Sequence, residues 1–332
     1  VPSLTRFSPE VFFMRTWPFY AALAIVLSTG SLAPAQLGQP KPAEDVRLDK
    51  QLTQRWQVGV RINAVGGPCA GLRGSIPVPA EWPEQQVRVV NEEVSPLVSR
   101  VTYRDLGGVR QMQFSIPQLP PGELATALVT FEITRSSVLP PENTAQYQIP
   151  KNLPVAIRFD LGISPAIECR HPAIRAKAKE LVADKESAWK QVEAIYDWVR
   201  DNVKHQDGPL KGAAASLREG SGSRDDLTCL FIALCRASGV PARTVFVVDN
   251  VYAEFYLQDE AGQGSWFPCQ VAGTREFGGM SDHRPILQKG DHLRVPDEHK
   301  DPQRFVAEFL TGKGGRGGRP QVEFVRKLLP AN

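Results

Sequence analysis

The stretch Gly222-Ser223-Arg224-Asp225-Asp226-Leu227-Thr228-Cys229-Leu230-Phe231-Ile232-Ala233-Leu234-Cys235-Arg236 decides how the second half of this chain is read. Ser223 followed three residues later by Asp226 resembles a capping box, with Asp in place of the usual Glu. The acidic pair Asp225-Asp226 suits the positive end of a helix dipole. Behind it the pattern is apolar on nearly every side, which predicts a helix buried around most of its circumference. Gly239 followed by Pro241 supplies its stop. Residues 243–248 and 252–257, rich in β-branched and aromatic side chains, read as strands. The order is therefore a capped, buried helix followed by antiparallel strands.

Upstream, Ile174, Ala178, Leu181 and Val182 share one helical face, as do Val192, Ile195, Tyr196 and Val199. They predict two amphipathic helices, or one broken near residues 184–186. Before Pro172 the period shortens. Residues 56–62, 87–90, 98–103 and 109–116 alternate apolar with polar, and 124–133 are rich in Val, Thr and Phe. Pro- and Gly-bearing breaks separate them, which is the pattern of an antiparallel β-sandwich. The fold class expected is α+β. Its parts are a linker over residues 36–54, a β-sandwich domain over 55–165, a second domain over 166–295 and a C-terminal extension over 296–332. Within the extension a helix over residues 303–310 and a strand or helix over 322–329 flank a Gly-rich basic loop and cover an edge of the fold.

At the other end, Met14-Arg15, the apolar run 17–27 and Ala33-Pro34-Ala35 describe a secretory signal peptide over residues 1–35, with 1–13 as a misassigned start. The expected location is periplasmic or extracellular. A membrane is met only through the signal segment, if that is left uncleaved. The 332 residues are 42% hydrophobic and 23% charged, an ordinary globular composition with room for two domains. A net charge of +3, from 39 basic and 36 acidic residues, gives no electrostatic case for nucleic acid. The five cysteines, Cys69, Cys169, Cys229, Cys235 and Cys269, form no disulfide framework and no C-x-x-C. The five histidines include no i, i+4 pair, so no metal site and no cofactor are expected.

Taken together, residues 169–295 resemble the transglutaminase-like superfamily, relatives of the papain-type cysteine proteases. Asp226-Leu227-Thr228 through Gly239-Val240-Pro241-Ala242-Arg243 is similar to that family's core helix and its G-[IV]-P-A-R turn. Ile195-Tyr196-Asp197-Trp198-Val199-Arg200 resembles its preceding helix. Tyr252-Ala253-Glu254-Phe255-Tyr256 resembles its H-x-W-x-E strand, and Trp266-Phe267-Pro268-Cys269-Gln270 its W-x-x-x-D strand. The resemblance implies a papain-like fold in which a thiolate at the helix N-terminus is activated by His and oriented by Asp. It places Arg224 where the family carries Cys, Asn250 where it carries His and Gln270 where it carries Asp.

An Arg has no nucleophilic lone pair, and Asn and Gln cannot take up a proton as general bases. The expectation is a degenerate site that binds protein or peptide material, cell-wall peptide among the candidates. Arg224, Asn250 and Gln270 would form a polar pocket suited to carboxylates or amides, with Asp225, Asp226, Tyr252, Glu254 and Trp266 as further groove candidates. A rival reading is an active cysteine peptidase or acyl transferase using Cys229 or Cys269 with a displaced histidine such as His283. A third reading gives binding to the β-sandwich alone. N-terminal sequencing of the secreted protein is expected to begin at or near Gln36; a mature chain starting well before it would contradict the signal-peptide reading.

Overall fold

The computed structural model describes residues 47–296, 298–315 and 317–330. The expected signal peptide and the first part of the linker, residues 36–46, lie outside the described residues. Six strands come first: β1 Arg47–Val65, β2 Cys69–Val78, β3 Gln85–Val94, β4 Arg100–Asp105, β5 Arg110–Leu119 and β6 Leu124–Leu139. Helices and short strands follow: α1 Val155–Arg158, α2 Pro172–Val182, α3 Ala188–Asn202, β7 Lys204–His205, α4 Ala213–Glu219, β8 Ser221–Gly222 and α5 Arg224–Ala237. The chain then returns to strands: β9 Ala242–Val247, β10 Asn250–Gln258, β11 Gly264–Gln270, β12 Glu276–Phe277, β13 Ile286–Lys289, β14 Phe309–Gly314 and β15 Arg319–Leu328. The architecture is α+β, with an antiparallel β-rich N-terminal part.

Two four-stranded sheets, β15-β1-β6-β3 and β14-β2-β5-β4, enclose an apolar core that includes Val58, Ile62, Ile76, Met112, Phe114 and Phe131. A five-stranded antiparallel sheet, β12-β11-β10-β9-β13, carries α5 on one face. Strand alternation explains which residues meet the helix. Ala253, Phe255 and Leu257 join the α5 core, whereas Tyr252 joins Trp82, Val138 and Ile286 on the side of the sandwich.

Along α5, eleven consecutive residues from Asp226 to Arg236 are buried, as its all-round apolar pattern predicts. Each fully buried Leu, Ile or Phe there contributes about 1.5–3 kcal/mol. Its C-terminal end is held by Arg236, which donates to both oxygens of Asp291 at 2.9 and 3.0 Å and to the Ala242 carbonyl at 2.8 Å. A cation there also favours the negative end of the helix dipole. The periodic faces of α2 and α3 are buried at Ile174, Ala178, Val192, Ile195, Tyr196 and Val199, and the break between them falls at residues 183–187.

Three expectations are corrected. Residues 47–54 are not linker but the first half of β1, paired with β6 from Leu48↔Val138 to Gln54↔Ile133. Their side chains are largely exposed, so no apolar alternation marks them. No helix forms over residues 303–310. Gln303 pairs with Leu293 through the backbone, Val306 donates its N–H to the buried Gln288 side chain, and β14 begins at Phe309. Tertiary partners there override local helix preference. Of the strand or helix expected over residues 322–329 the strand forms, as part of β15, which ends at Leu328; it is the expected separate C-terminal extension that is corrected. With β14, β15 adds an edge strand to each sandwich sheet, so the C-terminal stretch is part of the sandwich rather than an appendage.

A buried ionic cluster joins the sandwich to the five-stranded sheet. Lys289 Nζ donates to Glu84 Oε1 and to Glu254 Oε1, both at 2.6 Å. Arg243 pairs with the other oxygen of Glu254 at 2.8 Å, and Arg135 on β6 donates to the Tyr252 hydroxyl at 3.0 Å. Burial alone would raise the Glu84 carboxyl, but the charges of Lys289 and Arg135 outweigh it and hold it at about 2. That value is depressed below the ordinary 4.5, so this pair contributes stability above pH 4.5 that is lost as pH falls from there toward 2. Replacing Lys289 by Met, which strips both carboxylates of a shared cation, is expected to cost about 3–5 kcal/mol in urea unfolding at neutral pH. An unchanged unfolding midpoint would contradict the clasp.

Candidate functional site

Position 224 opens α5, and the start of that helix is fixed by Asp226. Its Oδ2 accepts from Ser223 N–H at 2.9 Å and from Ser223 Oγ at 2.8 Å, and Ser223 Oγ accepts from Asp226 N–H in return at 3.2 Å. This is the capping box read from the sequence. The second oxygen, Oδ1, accepts from Lys211 N–H at 2.7 Å and Gly212 N–H at 2.8 Å, which draws the preceding loop against the helix. Burial alone would raise this carboxyl; the bonds from Gly212, Ser223 and Lys211 outweigh it and hold it below the usual carboxylate range. The parallel pair β7–β8 brings His205 alongside Gly222 on the same approach.

Three side chains from three elements form one row at that end. Arg224 Nη1 donates to Asn250 Oδ1 at 2.7 Å, and Asn250 Nδ2 donates to Gln270 Oε1 at 3.3 Å. Gln270 Nε2 donates to the Ala272 carbonyl at 2.8 Å. The row has only one self-consistent direction. A backbone carbonyl accepts from one end of the Gln270 amide, so the other end must be oxygen. That oxygen demands the Asn250 NH2, which leaves the Asn250 oxygen facing position 224, where only a donor fits. Asn250 Nδ2 also approaches Asp282 Oδ2 at 3.5 Å. Burial alone would raise the Asp282 carboxyl, but Arg284 holds it below its ordinary range. Arg224 is exposed, Asn250 half-buried and Gln270 buried, so the row runs from the groove into the protein. Guanidinium and amides can orient and bind; none can accept a proton from a substrate near neutral pH.

The further groove candidates part company. Asp225 lines the groove and accepts from Arg304 Nη1 and Nη2, each at 3.3 Å. Asp226 is wholly buried and spent on backbone bonds. Tyr252 and Glu254 lie on the sheet face turned from α5, inside the ionic cluster. Trp266 lies under the Arg243 guanidinium at 3.9 Å, on the same side. Those four are corrected to structural roles: Asp226 serves the helix cap, and Tyr252, Glu254 and Trp266, although they share the strand parity of Asn250 and Gln270, lie further along β10 and β11, with the ionic cluster. The groove itself is a cavity of about 500 Å³. Its far wall is one the sequence reading missed: Phe246, Phe305, Arg304 and Arg326, the last three supplied from beyond residue 300.

None of the alternative thiols faces this cavity. Burial pushes Cys229 up to about 12, and raises Cys235 and Cys269 well above the ordinary thiol range. All five cysteines are buried and unpaired. His283 Nε2 donates to the Lys50 carbonyl at 3.0 Å, and the side chain is half-buried there. Among the described residues, no group of three or more His, Cys, Asp or Glu side chains is placed to hold a metal ion. No described helix is long and apolar enough to cross a membrane.

Residues 175–271 match the family model of the transglutaminase-like superfamily. A candidate cysteine protease from Cytophaga hutchinsonii has a similar structure at 16% identity and a TM-score of 0.55, over 85% of this chain and 93% of that one. That likeness covers sandwich and helical part together and concerns the fold. Slighter likenesses reach the periplasmic domain of TgpA from Pseudomonas aeruginosa (15% identity, TM-score 0.32, 64% of this chain and 87% of that one) and a candidate protease from Parabacteroides distasonis (14%, 0.27, 68% and 47%). No curated protein matches the chain. The residues from α2 to the end of β11 thus form a transglutaminase-like domain. A thiol-directed probe at neutral pH is expected to leave Cys229, Cys235 and Cys269 unmodified in the folded protein and to modify all three after denaturation; labelling of folded Cys229 or Cys269 would revive the cysteine-enzyme reading.

Proposed function

We propose that this transglutaminase-like domain is catalytically degenerate and binds peptide or protein material in the former active-site groove, with Arg224 as a carboxylate receptor. The observation that carries the reading is the row Arg224–Asn250–Gln270. It keeps the order of a nucleophile, a base and an orienting group, yet contains neither nucleophile nor base. Asn250 fixes one edge of the guanidinium with a neutral acceptor and leaves the cation uncompensated by that bond. A guanidinium held this way presents its remaining donors as a fork, the geometry that takes a carboxylate through two parallel bonds. Holding it in advance reduces the ordering cost of binding.

The ligand class follows from the groove and from the leader-like sequence at residues 14–35. An exported protein meets extracytoplasmic peptides, cell-wall peptide among them, whose free carboxylates suit such a receptor. The cysteine-enzyme alternative has little support in the geometry, since Cys229 lies inside α5 and its thiol is held protonated by burial.

Binding of a fluorescent library of short free-acid peptides, followed by polarisation, tests the proposal. Arg224→Ala is expected to weaken binding by about ten- to a hundredfold, the loss of one charge-assisted contact of about 1.5–3 kcal/mol. Asn250→Ala should weaken it less, by loosening the guanidinium. Affinity unchanged by both substitutions would defeat the reading.

A further inference from the structure

Beside the polar row the groove is lined by apolar side chains from the transglutaminase-like domain and from the segment beyond it. Phe246 of β9 and Phe305 meet with ring centroids 5.0 Å apart and planes tilted by 52°, and the Arg304 guanidinium lies 4.9 Å from the Phe246 ring centroid. Leu210, Val251 and Leu287 continue the apolar surface around the same cavity. Leu210 is 42% exposed, so its side chain is open to a ligand in the groove.

Charge is distributed unevenly around this cavity. Arg304 is neutralised by Asp225 at 3.3 Å and Arg326 by Glu308 at 2.7 Å, so neither arrives as a free cation. Arg224 is the guanidinium whose bonded partner is neutral. Asp207 and Asp249, both exposed, stand at the rim as carboxylates. Asp249 is held there by a left-handed backbone, φ 57°, in the turn between β9 and β10. A ligand with one carboxylate on Arg224 would therefore meet an apolar wall beside it and negative charge further out. A second acidic group would be repelled.

We infer that the groove selects peptides by their C-terminus, taking the terminal carboxylate on Arg224 and an apolar last side chain against Phe246, Phe305 and Leu210. The inference rests on the carboxylate-receptor reading and adds to it the part of the ligand that is recognised and the segment that recognises it. The cavity of about 500 Å³ is within the size range of small-ligand sites and suits the end of a chain rather than a folded partner. The Arg304-Phe305 segment acts as a specificity element. It is anchored to α5 by Asp225 and to β13 through the bond of Gln288 Nε2 to the Arg304 carbonyl at 2.6 Å, so the wall is already in place before a ligand arrives.

Calorimetric titration of the full chain with four acetylated tripeptides separates the possibilities: one ending in Phe, one in Gly and one in Asp, each with a free carboxylate, and the Phe peptide as its C-terminal amide. The Phe acid is expected to bind about tenfold more tightly than the Gly acid, from burial of the ring, and more tightly still than the Asp acid. Amidation should cost about tenfold or more. In Phe305→Ala the Phe/Gly ratio should fall to about twofold. Leu210→Asp, at an exposed position where folding is not at stake, should lower the same ratio. Equal binding of the Phe and Gly acids, or a ratio unmoved by both substitutions, overturns this inference while an Arg224-dependent preference for acid over amide keeps the receptor reading. Binding that ignores amidation and Arg224 overturns both.

Discussion

The position of everything in the groove depends on the Asp226 carboxylate. It lies within the first turn of α5 and receives four donors: two from Ser223 and the backbone N–H groups of Lys211 and Gly212. A single side chain thus caps the helix, closes the capping box and fastens the loop that leads to the groove. Removing it would leave several buried N–H groups without acceptors, at about 1–3 kcal/mol each. It also explains how Arg224 can sit at a helix N-terminus, where a cation is disfavoured. The unfavourable charge lies one turn from a buried anion, and its neighbour Asp225 holds a second cation, Arg304.

The hydrogen bonds of Arg224, Asn250 and Gln270 are coherent as a set. A histidine offers a donor and an acceptor and can reverse them by shifting a proton; two amides in series cannot. Once Gln270 is oriented by the Ala272 carbonyl, the polarity of Asn250 follows, and the residue beyond must donate. Arg satisfies that demand and reaches solvent. Such a row has a fixed hydrogen-bond direction, which suits the receptor role proposed for it.

Much of this was legible in the chain because it is local. The capping box, the all-round apolar pattern of α5, its Gly-Pro stop and the faces of α2 and α3 involve residues within a few positions of one another. Counting from Glu254 and Trp266 places Asn250 and Gln270, which the structure joins to Arg224 in one hydrogen-bonded row. Counting does not show how far along a strand the groove extends: Tyr252, Glu254 and Trp266 share the parity of Asn250 and Gln270, yet they lie further along their strands, with the ionic cluster. The first half of β1 was hidden because its side chains are largely solvated and carry no apolar alternation. The Phe305 wall was hidden because nothing near it in sequence carries the signal; its partners are Asp225, Phe246 and Gln288.

The pairing of β1 with β15 and of β2 with β14 has a consequence for how the molecule is made. Its sandwich is a discontinuous domain: the strands that finish each sheet are separated from those they join by the whole transglutaminase-like region. During synthesis β1 and β2 emerge before the transglutaminase-like region and β14 and β15 after it, so two strand edges stay unpaired until that region has been made. Long-range pairing of this kind slows folding, and open edges of this kind recruit other chains. The transglutaminase-like region, whose contacts are shorter in range, can fold while the sandwich waits. The groove is then assembled in the closing step, when the same segment that seals the sandwich delivers Arg304 and Phe305 to its wall.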